Sequence, residues 1–315
     1  MTGITSEQAV IDTFINDLVG HVQNGGRLHL ALDFDGTVAP FQDHVEDVRV
    51  DAVALKALRA IARQPNCVVT FATGRSVDSL RRRLNNPGTL PFNIIGSDGL
   101  EWQKAGSKKI TRHPYPKGGE IMMAEFNRVA RQMVLKNPGL VVEEKHGSVF
   151  FNVHNIDDKR PEKIRTVMSE IRQALIDACA HPAMPVLDGL AYFQICEFNG
   201  TVVGVRAHAF DKAFGLRESK YANPDDRIVF FCDSLQHEGN DRTTAIVIND
   251  KAHYPTGTVV QVLNARTQPI EAGAPETPGI ILASEEQAGR MLKTLAGALK
   301  AGPGQKVAHH PEIKP

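Results

Sequence analysis

The sequence predicts an α/β fold in which a parallel sheet is interrupted by a smaller, inserted α+β unit. Short apolar segments alternate with segments of helical spacing up to residue 103 and again from residue 207, which is typical of a parallel sheet covered by helices. Between these regions, strand-like segments follow one another without a helix between each pair, as in antiparallel sheets. The 315 residues are enough for two such units to bury a core.

Composition and charge exclude several classes of partner. The chain has 36 basic and 36 acidic side chains, and this zero net charge argues against a nucleic-acid partner. No apolar run approaches the roughly 18 residues of a membrane span, and the N-terminal residues lack the pattern of a secretory signal. The four cysteines lie far apart, which favours free thiols in a reducing compartment. We therefore expect a cytoplasmic protein with neither a membrane nor a nucleic-acid partner.

The elements of the first region follow from apolar spacing and from turn residues. Ser6 is a candidate cap for the first helix, and Gly25-Gly26 ends that helix. The two strands that follow are short and mostly apolar, as expected of buried central strands. The predicted order is helix 6–24, strand 28–32, helix 51–63, strand 68–72, helix 76–84 and strand 92–95.

The remaining elements divide into an inserted group and a second α/β region. The inserted group is helix 118–136, strands 140–144 and 148–154, helix 161–179, and strands 185–188, 190–197 and 201–206. The α/β pattern then resumes with helix 210–220, strand 228–232, helix 241–249, strand 258–263, a proline-containing loop over 264–278, and helix 284–300.

These groups define the predicted domains. We expect an N-terminal helix over 1–26, a core formed by 27–103 and 207–300, a cap domain over 104–206 and a disordered tail over 301–315. The sequence indicates no role for the N-terminal segment or the tail, and no oligomeric state.

Two carboxylates follow directly after the first predicted strand. The segment Asp33-Phe34-Asp35-Gly36-Thr37 lies at the carboxyl end of strand 28–32, which is where ligands bind in open parallel sheets. Gly36 permits a tight turn there. Carboxylates this close repel each other unless a cation or a proton compensates, and Mg²⁺ prefers such oxygen ligands. The pattern favours a functional Mg²⁺-binding pair over an ordinary Asp-Gly turn.

Polar residues also occur near two further strand ends. Thr73 follows strand 68–72, and its hydroxyl and the neighbouring backbone N–H groups can hold a phosphoryl oxygen. Asp233 follows strand 228–232, and Lys212 lies earlier in the chain. The Lys212 ammonium can neutralise a phosphate and the carboxylates. Each residue is weak evidence alone, and together they supply carboxylates, a hydroxyl and a cation near the ends of predicted strands.

These motifs, in this order, resemble those of the haloacid-dehalogenase superfamily and, within it, the trehalose-6-phosphate phosphatase family. Residues 32–40 are similar to the family's first motif and residues 73–76 to its second. Residues 96–101 resemble its G-x-H-G-x-E segment, with Asp98 where His is usual. The resemblance spans about residues 28–263. It implies a Rossmann-like haloacid-dehalogenase core with an inserted α+β cap of type C2.

The resemblance implies a role for each matching residue. Asp33 would be the nucleophile that forms an aspartyl phosphate, and Asp35 the general acid and then the general base. Thr73 and Lys212 would complete the phosphoryl cradle, and Arg75 would bind substrate. The implied Mg²⁺ ligands are Asp33, the main-chain carbonyl of Asp35, Asp233 and Asp241.

The fourth motif departs from the family pattern, which reads Gly-Asp-Asp-x-Thr-Asp-Glu. Asp233 matches the first acid of that motif. Aligning the helix that follows places the second acid at Asp241, after an insertion. Without a gap, His237 falls at that position and Glu238 lies next to it. Both alignments are open, so either Asp241 or Glu238 can complete the metal site.

The predicted cap carries its own charged residues. In the related family, a Glu-x-Lys pair and a later Glu contact the hydroxyls of the sugar. Residue matching places these at Glu143, Lys145 and Glu197. The alternative is that they are ordinary exposed charges at a sheet edge.

The activity implied by the resemblance is a Mg²⁺-dependent phosphatase acting on a small phosphorylated disaccharide or glycoside. Trehalose 6-phosphate is the first candidate, and another glycosyl phosphate, such as glucosylglycerol phosphate, is the second. Two other classes stay open: a phosphosugar mutase, which would need a bisphosphorylated activator, and a non-catalytic sugar-phosphate sensor.

Overall fold

A computed structural model describes most of the chain. The described residues are 4–42, 47–84, 89–115, 118–180, 193–198, 202–207, 212–236, 241–264, 267, 270 and 273–301. The predicted strand 185–188 and the tail beyond residue 301 lie outside them. The chain separates into two compact units, one formed by residues 1–110 and 211–315 and the other by residues 111–210. Within the described residues, every helix is too short or too polar to cross a membrane.

The larger unit is built on a sheet of eight strands. In chain order they are β1 (Leu28–Leu32), β2 (Cys67–Ala72), β3 (Asn93–Gly96), β4 (Glu101–Gln103), β5 (Ile110–Arg112), β10 (Arg227–Cys232), β11 (Thr258–Val262) and β12 (Ile280–Leu282). Their order across the sheet is β12-β11-β10-β1-β2-β3-β4-β5. The strands from β12 to β3 are parallel to their neighbours, and β4 is antiparallel to β3. The central position of β1 places the segment after it in the middle of the carboxyl edge.

Helices cover both faces of this sheet. They are α1 (Ile4–Gln23), α2 (Ala52–Ile61), α3 (Val77–Arg83), α6 (Lys212–Glu218), α7 (Arg242–Asn249) and α8 (Glu285–Ala301). Successive side chains of a strand point to opposite faces. In β10, Val229 and Phe231 join the core under α1, α2, α3 and α8, whereas Ile228, Phe230 and Cys232 join the core under α6 and α7. A strand with two buried faces has its polar side chains at its ends.

The smaller unit has a four-stranded antiparallel sheet with two helices. Its elements are α4 (Gly119–Lys136), β6 (Val141–Lys145), β7 (Ser148–Asn152), α5 (Pro161–Cys179), β8 (Phe193–Phe198) and β9 (Val202–Ala207). The strand order is β6-β7-β9-β8. Apolar residues of α4 and α5, such as Phe126 and Ile171, are fully buried. This is the α+β arrangement that the run of adjacent strands predicts.

The predicted fold class is confirmed, and the differences concern short elements and the ends of elements. Helix α1 begins at Ile4, so the prediction of Ser6 as its cap is wrong. The sequence missed β4, β5 and β12, which have three residues each and are therefore too short to show alternation. The strand predicted over 148–154 ends at Asn152.

A buried polar cluster lies at the amino ends of β1 and β10, away from the predicted site. Nη1 of Arg27 donates to the Asp226 oxygens at 2.9 and 3.0 Å, and the backbone N–H of Asn223 donates to Oδ2 at 2.9 Å. Nδ1 of His29 lies 3.5 Å from Asp226 Oδ2, and its Nε2 is 2.8 Å from the Thr70 hydroxyl. This cluster ties the start of β1 to the residue before β10 and to the middle of β2.

Burial sets the protonation of this cluster. It lowers the pKa of His29 below the usual 6.5, although Asp226 acts in the opposite direction. Burial alone would raise the pKa of Asp226, but the polar contact with His29, the hydrogen bond from Asn223 and the charge of Arg27 hold it below the usual 3.8. Both groups therefore bind protons more weakly in the folded chain than in the unfolded chain. Their stabilising contribution is complete above about pH 6.5 and is lost as the pH falls, first through His29 and then through Asp226.

We predict that His29→Gln weakens the pH dependence of stability. The wild-type melting temperature should fall as the pH is lowered from 7 to 5, because the unfolded chain takes up a proton at His29 that the folded chain resists. The variant lacks this group, so its melting temperature should fall less over the same interval. His253→Gln, at an exposed histidine of the same unit, is the matched control. Parallel curves for wild type and His29→Gln would contradict the assignment.

Candidate active site

Four segments at the carboxyl ends of parallel strands converge on the candidate site. Asp33 follows β1, Thr73 follows β2, Asp233 follows β10, and Asn264 lies two residues beyond β11. The backbone N–H of Asp33 donates to Phe231 O at 2.8 Å, which continues the pairing of β1 with β10. The apolar strands thus fix the positions of these polar residues at the carboxyl edge of the sheet.

Gly36 closes the turn after β1 and has no room for a side chain. Its φ of +74° lies in the left-handed region that favours glycine. A Cβ at this position would overlap the Asp233 carboxylate and lie 2.8 Å from Nδ2 of Asn264. Any larger residue would therefore displace the groups that line the site.

Three carboxylates and one ammonium form the centre of the site. One oxygen each from Asp33, Asp233 and Asp241 lies within 4.8 Å of the other two. Nζ of Lys212 donates to Asp33 Oδ1 and to Asp241 Oδ1, at 2.5 Å in both cases. Lys212 and Asp241 are fully buried, and Asp33 and Asp233 are 4% and 6% exposed. Lys212 begins α6 and Asp241 directly precedes α7, so two helix starts contribute to this centre.

The charges of this centre are not balanced by Lys212 alone. Burial raises the pKa of Asp33 well above the usual 3.8, Lys212 opposes this shift, and the neighbouring carboxylates add to it. Burial and the charge of Asp241 raise the pKa of Asp233 to about 7. Burial alone would lower the pKa of Lys212, but Asp241 and Asp33 raise it above the usual 10.5. Lys212 therefore stays charged, whereas the raised pKa values of Asp33 and Asp233 mean that these carboxyl groups give up their protons less readily unless a further cation joins them.

The donor set fits a divalent metal ion. Three carboxylates and one ammonium carry a formal charge of −2 (3 × −1 and +1), which a divalent cation would neutralise. All the converging ligand atoms are oxygens, which Mg²⁺ prefers over softer metals. The structure therefore provides a buried carboxylate cluster that can hold such an ion.

Asp35 is engaged by arginine and lies outside this carboxylate cluster. Nε of Arg75 donates to Asp35 Oδ2 at 2.7 Å and Nη2 to Oδ1 at 2.5 Å, which is a bidentate pair. The Arg75 guanidinium also lies 5.7 Å from the centroid of the Phe34 ring. The predicted substrate-binding arginine therefore contacts the predicted general acid.

Thr73 and Arg75 lie on one tight loop. Thr73 is 1% exposed, and its hydroxyl accepts a hydrogen bond from the backbone N–H of Arg75 at 3.1 Å. Helix α3 starts directly after this loop, where Glu101 accepts from the backbone N–H of Val77 at 3.0 Å. Glu101 belongs to the segment that resembles the G-x-H-G-x-E motif, and here it holds the start of a helix.

The smaller unit contains the other predicted substrate residues. Nζ of Lys145 lies 3.0 Å from Glu143 Oε2 and 5.0 Å from the centroid of the Phe150 ring. Both charged residues are on β6, which is an edge strand of that sheet. Glu197 lies on β8, and its side chain is outside the described part of the structure. The structure brings Glu143 and Lys145 together.

The structure also bears on the two alignments of the fourth motif. Asp241 lies in the carboxylate cluster, as the alignment with a gap requires. Glu238 lies outside the described residues. Asp241 is further held by Ser234, whose backbone N–H donates to Asp241 Oδ2 at 3.3 Å.

Sequence reasoning missed Asn264. Its Nδ2 donates to Asp233 Oδ2 at 2.9 Å and to Gly36 O at 3.1 Å, so one amide joins the segments after β1 and β10. A signal was present, because Asn264 follows an apolar strand just as Asp33 and Asp233 do. Asn264 lies in the segment 264–278, which the sequence predicts to be a loop.

A parallel sheet with an Asp-x-Asp segment after its central strand, and with an inserted α+β unit, defines a phosphatase-like fold of the haloacid-dehalogenase type. The trehalose-phosphatase family model matches residues 31–184. This match covers 154 of the 315 residues, and it confirms the resemblance found in the motifs.

A sequence relative and two solved structures are similar to this chain. A bifunctional trehalose-6-phosphate synthase/phosphatase of Thermoproteus tenax is 28% identical over 173 residues, which are 53% of this chain and 22% of that relative. The C-terminal domain of Candida albicans trehalose-6-phosphate phosphatase superposes with a TM-score of 0.64 at 15% identity, covering 90% of this chain and 97% of that one. A trehalose-6-phosphate phosphatase related protein gives 0.56 at 17% identity, with coverage of 85% and 97%.

One structural neighbour is part of a regulatory protein. The C-terminal domain of the Candida albicans trehalose synthase regulatory protein superposes with a TM-score of 0.63 at 12% identity, covering 89% of this chain and 97% of that one. At these identities, the solved structures establish the shared fold, and the chemistry must be argued from the residues.

We predict that Asn264→Ala weakens Mg²⁺ binding. Loss of both hydrogen bonds frees the Asp233 carboxylate to turn, and loss of such a supporting contact typically costs about ten- to a hundredfold in metal affinity. Calorimetric titration with Mg²⁺ measures this directly. Asn249→Ala is the matched control, because Asn249 also donates two hydrogen bonds, to Pro275 O and Thr277 O, away from the cluster. Equal losses in both variants would indicate general destabilisation instead.

Proposed function

We propose that this chain is a Mg²⁺-dependent phosphatase that hydrolyses a phosphorylated sugar, with trehalose 6-phosphate as the best-supported substrate. The observation that carries the proposal is the buried cluster in which Lys212 bridges Asp33 and Asp241 beside Asp233. Similarity to the trehalose-phosphatase family supports the reaction type, and the activities of the similar proteins support the substrate. The matched part of the curated relative is 22% of its length, so its activity transfers to this chain only as a proposal.

Asp33 is the nucleophile in this proposal. Lys212 holds Oδ1, which leaves Oδ2 to attack phosphorus. The bond from phosphorus to Asp33 forms while the bond from phosphorus to the sugar oxygen breaks, giving an aspartyl phosphate and the sugar. Water then attacks the phosphorus of this intermediate, which restores Asp33 and releases inorganic phosphate.

Asp35 moves the proton in both steps. It protonates the departing sugar oxygen and then takes a proton from the attacking water. Arg75 occupies both Asp35 oxygens in the structure, so an incoming substrate must displace at least one of these hydrogen bonds before Asp35 can donate. The Arg75 guanidinium released in this way is suited to the phosphoryl oxygens.

The remaining residues hold the phosphoryl group and the metal. The Thr73 hydroxyl and the Lys212 ammonium form the cradle. Mg²⁺, when bound, would be held by Asp33, Asp233, Asp241 and the main-chain carbonyl of Asp35, and would stabilise the charge that develops on the phosphoryl oxygens. Glu143, Lys145 and Glu197 of the smaller unit would recognise sugar hydroxyls.

A non-catalytic sugar-phosphate sensor is the second candidate. The similarity to the domain of a regulatory protein and the altered fourth motif favour it. The two candidates differ in one measurement, which is the release of inorganic phosphate from a panel of phosphorylated sugars in the presence of Mg²⁺. Release identifies the phosphatase, whereas binding without release identifies the sensor. Product analysis of the same reactions detects a mutase, which would move the phosphate instead of releasing it.

We predict that Asp33→Asn abolishes phosphate release, because an amide cannot replace the carboxylate as nucleophile. Asp35→Asn should also lose turnover, because the leaving oxygen loses its proton donor. Asp226→Asn is the matched control, since Asp226 is equally buried but lies at the opposite ends of the strands. Its activity per folded molecule should equal that of the wild type. Phosphate release by Asp33→Asn at the wild-type rate would rule out the aspartyl phosphate.

We predict that Asp241, and not Glu238, completes the metal site. Asp241→Ala should raise the Mg²⁺ concentration for half-maximal rate by about ten- to a hundredfold, because a carboxylate leaves the cluster. Glu238→Ala should change it little. Titration of the rate with Mg²⁺ measures both values, and the reverse order would favour the alignment without a gap.

We predict that Ala substitutions at Glu143, Lys145 and Glu197 lower kcat/KM for the cognate sugar phosphate. Truncating one partner of a desolvated hydrogen bond costs about 1–3 kcal/mol, or roughly one to two orders of magnitude in kcat/KM. Hydrolysis of p-nitrophenyl phosphate should be almost unchanged, because it requires only the phosphoryl cradle. Equal losses on both substrates would mean that these residues support folding of the smaller unit.

A further inference from the structure

The turn between β3 and β4 has an unusual backbone. Ser97, Asp98 and Gly99 have φ angles of +50°, +52° and +101°, so three consecutive residues lie in the left-handed region. Residues other than glycine seldom adopt it, and such conformations persist where the surrounding structure imposes them, often at functional sites. The turn is therefore a place to look for a role that regular structure does not explain.

This turn packs between two segments of the candidate site. The backbone N–H of Ser97 donates to Arg75 O at 2.8 Å, and that of Asp98 donates to Thr73 O at 3.3 Å. On its other side, a Cβ added to Gly215 of α6 would lie 2.8 Å from Gly99 Cα, so that helix is in close contact with the turn. The same helix begins with Lys212. The turn thus contacts the loop that contains Thr73 and the helix that begins with Lys212.

The Asp98 carboxylate lies directly against the loop after β2. Its Oδ1 would be 3.1 Å from a Cβ added to Gly74, which stands between Thr73 and Arg75. Asp98 is only 8% exposed, yet within the described residues no group donates a hydrogen bond or forms an ion pair with its carboxylate. The neighbouring Ser97 hydroxyl is also buried without a partner in the described part of the chain. Buried polar groups normally have partners, but the Ser97 hydroxyl lacks one, whereas the Asp98 carboxylate oxygens are not fully buried and can be reached from outside.

The left-handed backbone of the turn does not explain why residue 98 carries a carboxylate. Asn and Gly adopt the left-handed region as readily as Asp, so the turn could form without a carboxylate. An ionised carboxylate can only accept hydrogen bonds. It repels a phosphate dianion, and it therefore cannot serve the phosphoryl group. What it can bind beside the cradle is a hydrogen-bond donor on the rest of the substrate.

We propose that Asp98 is a specificity-determining residue, whose carboxylate accepts a hydrogen bond from a hydroxyl or ammonium group of the alcohol that is released. The proposal rests on the proposed phosphatase function and narrows its substrate class. Substrates are phosphate esters of polyhydroxy or amino alcohols that carry a donor close to the ester. Esters whose leaving group has no donor gain nothing from Asp98.

The test compares two esters across matched variants. For Asp98→Asn, kcat/KM for trehalose 6-phosphate should fall about ten- to a hundredfold, because a charged acceptor is lost. For p-nitrophenyl phosphate, whose leaving group has no donor, it should stay within about twofold of the wild type. Asp98→Gly should give the same selective loss although it relaxes the backbone. Asn66→Gly, at a left-handed φ of +60° remote from the site, controls for the effect of glycine and should leave both values unchanged.

Calorimetric measurement of binding distinguishes the proposed role of Asp98 from the proposed phosphatase function. Asp98→Asn should weaken the affinity for trehalose 6-phosphate but not for inorganic phosphate. An unchanged ratio between the two esters, together with unchanged binding, would overturn the role of Asp98 and leave the phosphatase intact. A wild-type protein that releases no phosphate but binds the sugar phosphate through Asp98 would overturn only the phosphatase. A wild-type protein that neither binds nor hydrolyses the sugar phosphate would overturn both.

Discussion

One buried ammonium holds the candidate site together. Lys212 bonds to Asp33, 179 residues earlier in the chain, and to Asp241, 29 residues later. Without it, two buried carboxylates would face each other without compensation, and removing one partner of such a pair costs about 3–5 kcal/mol. That is a large part of the roughly 5–15 kcal/mol by which a domain is stable. The relative positions of α6, α7 and the end of β1 therefore depend on this one group.

The amino ends of the central strands carry charges that stabilise the fold, and the carboxyl ends carry charges suited to a ligand. Both arrangements follow from the burial of the two faces of the sheet. Both faces of the sheet are covered by apolar helices, so charged side chains occur only where the strands begin or end. At the amino ends, Asp226 has donors on several sides and its pKa is lowered, which stabilises the fold. At the carboxyl ends, Asp33 and Asp233 crowd together and their pKa values are raised. A cluster of carboxylates with raised pKa values is arranged for a ligand, not for stability.

The sequence predicts most of the fold and the acidic part of the site, because both depend on long apolar patterns. Strand β1 and the segment after it are recognised from a five-residue segment with four apolar residues, followed by two acids within the next three residues. Contacts between side chains that are distant in sequence leave no such pattern. The pairing of Arg75 with Asp35 and the two hydrogen bonds of Asn264 depend on how loops meet in space. The strands of three residues were missed because they are held by their neighbours in the sheet and not by their own composition.

The altered fourth motif is compatible with a complete carboxylate cluster. Ser234 and Asp241 are joined by two hydrogen bonds, from the Asp241 N–H to Ser234 O at 3.2 Å and from the Ser234 N–H to Asp241 Oδ2 at 3.3 Å. These bonds fix Asp241 relative to Asp233, which directly precedes Ser234, whatever the number of residues between Ser234 and Asp241. Lys212 fixes the other oxygen of Asp241. An insertion can therefore change the spacing of the two acids in the sequence while their carboxylates remain together.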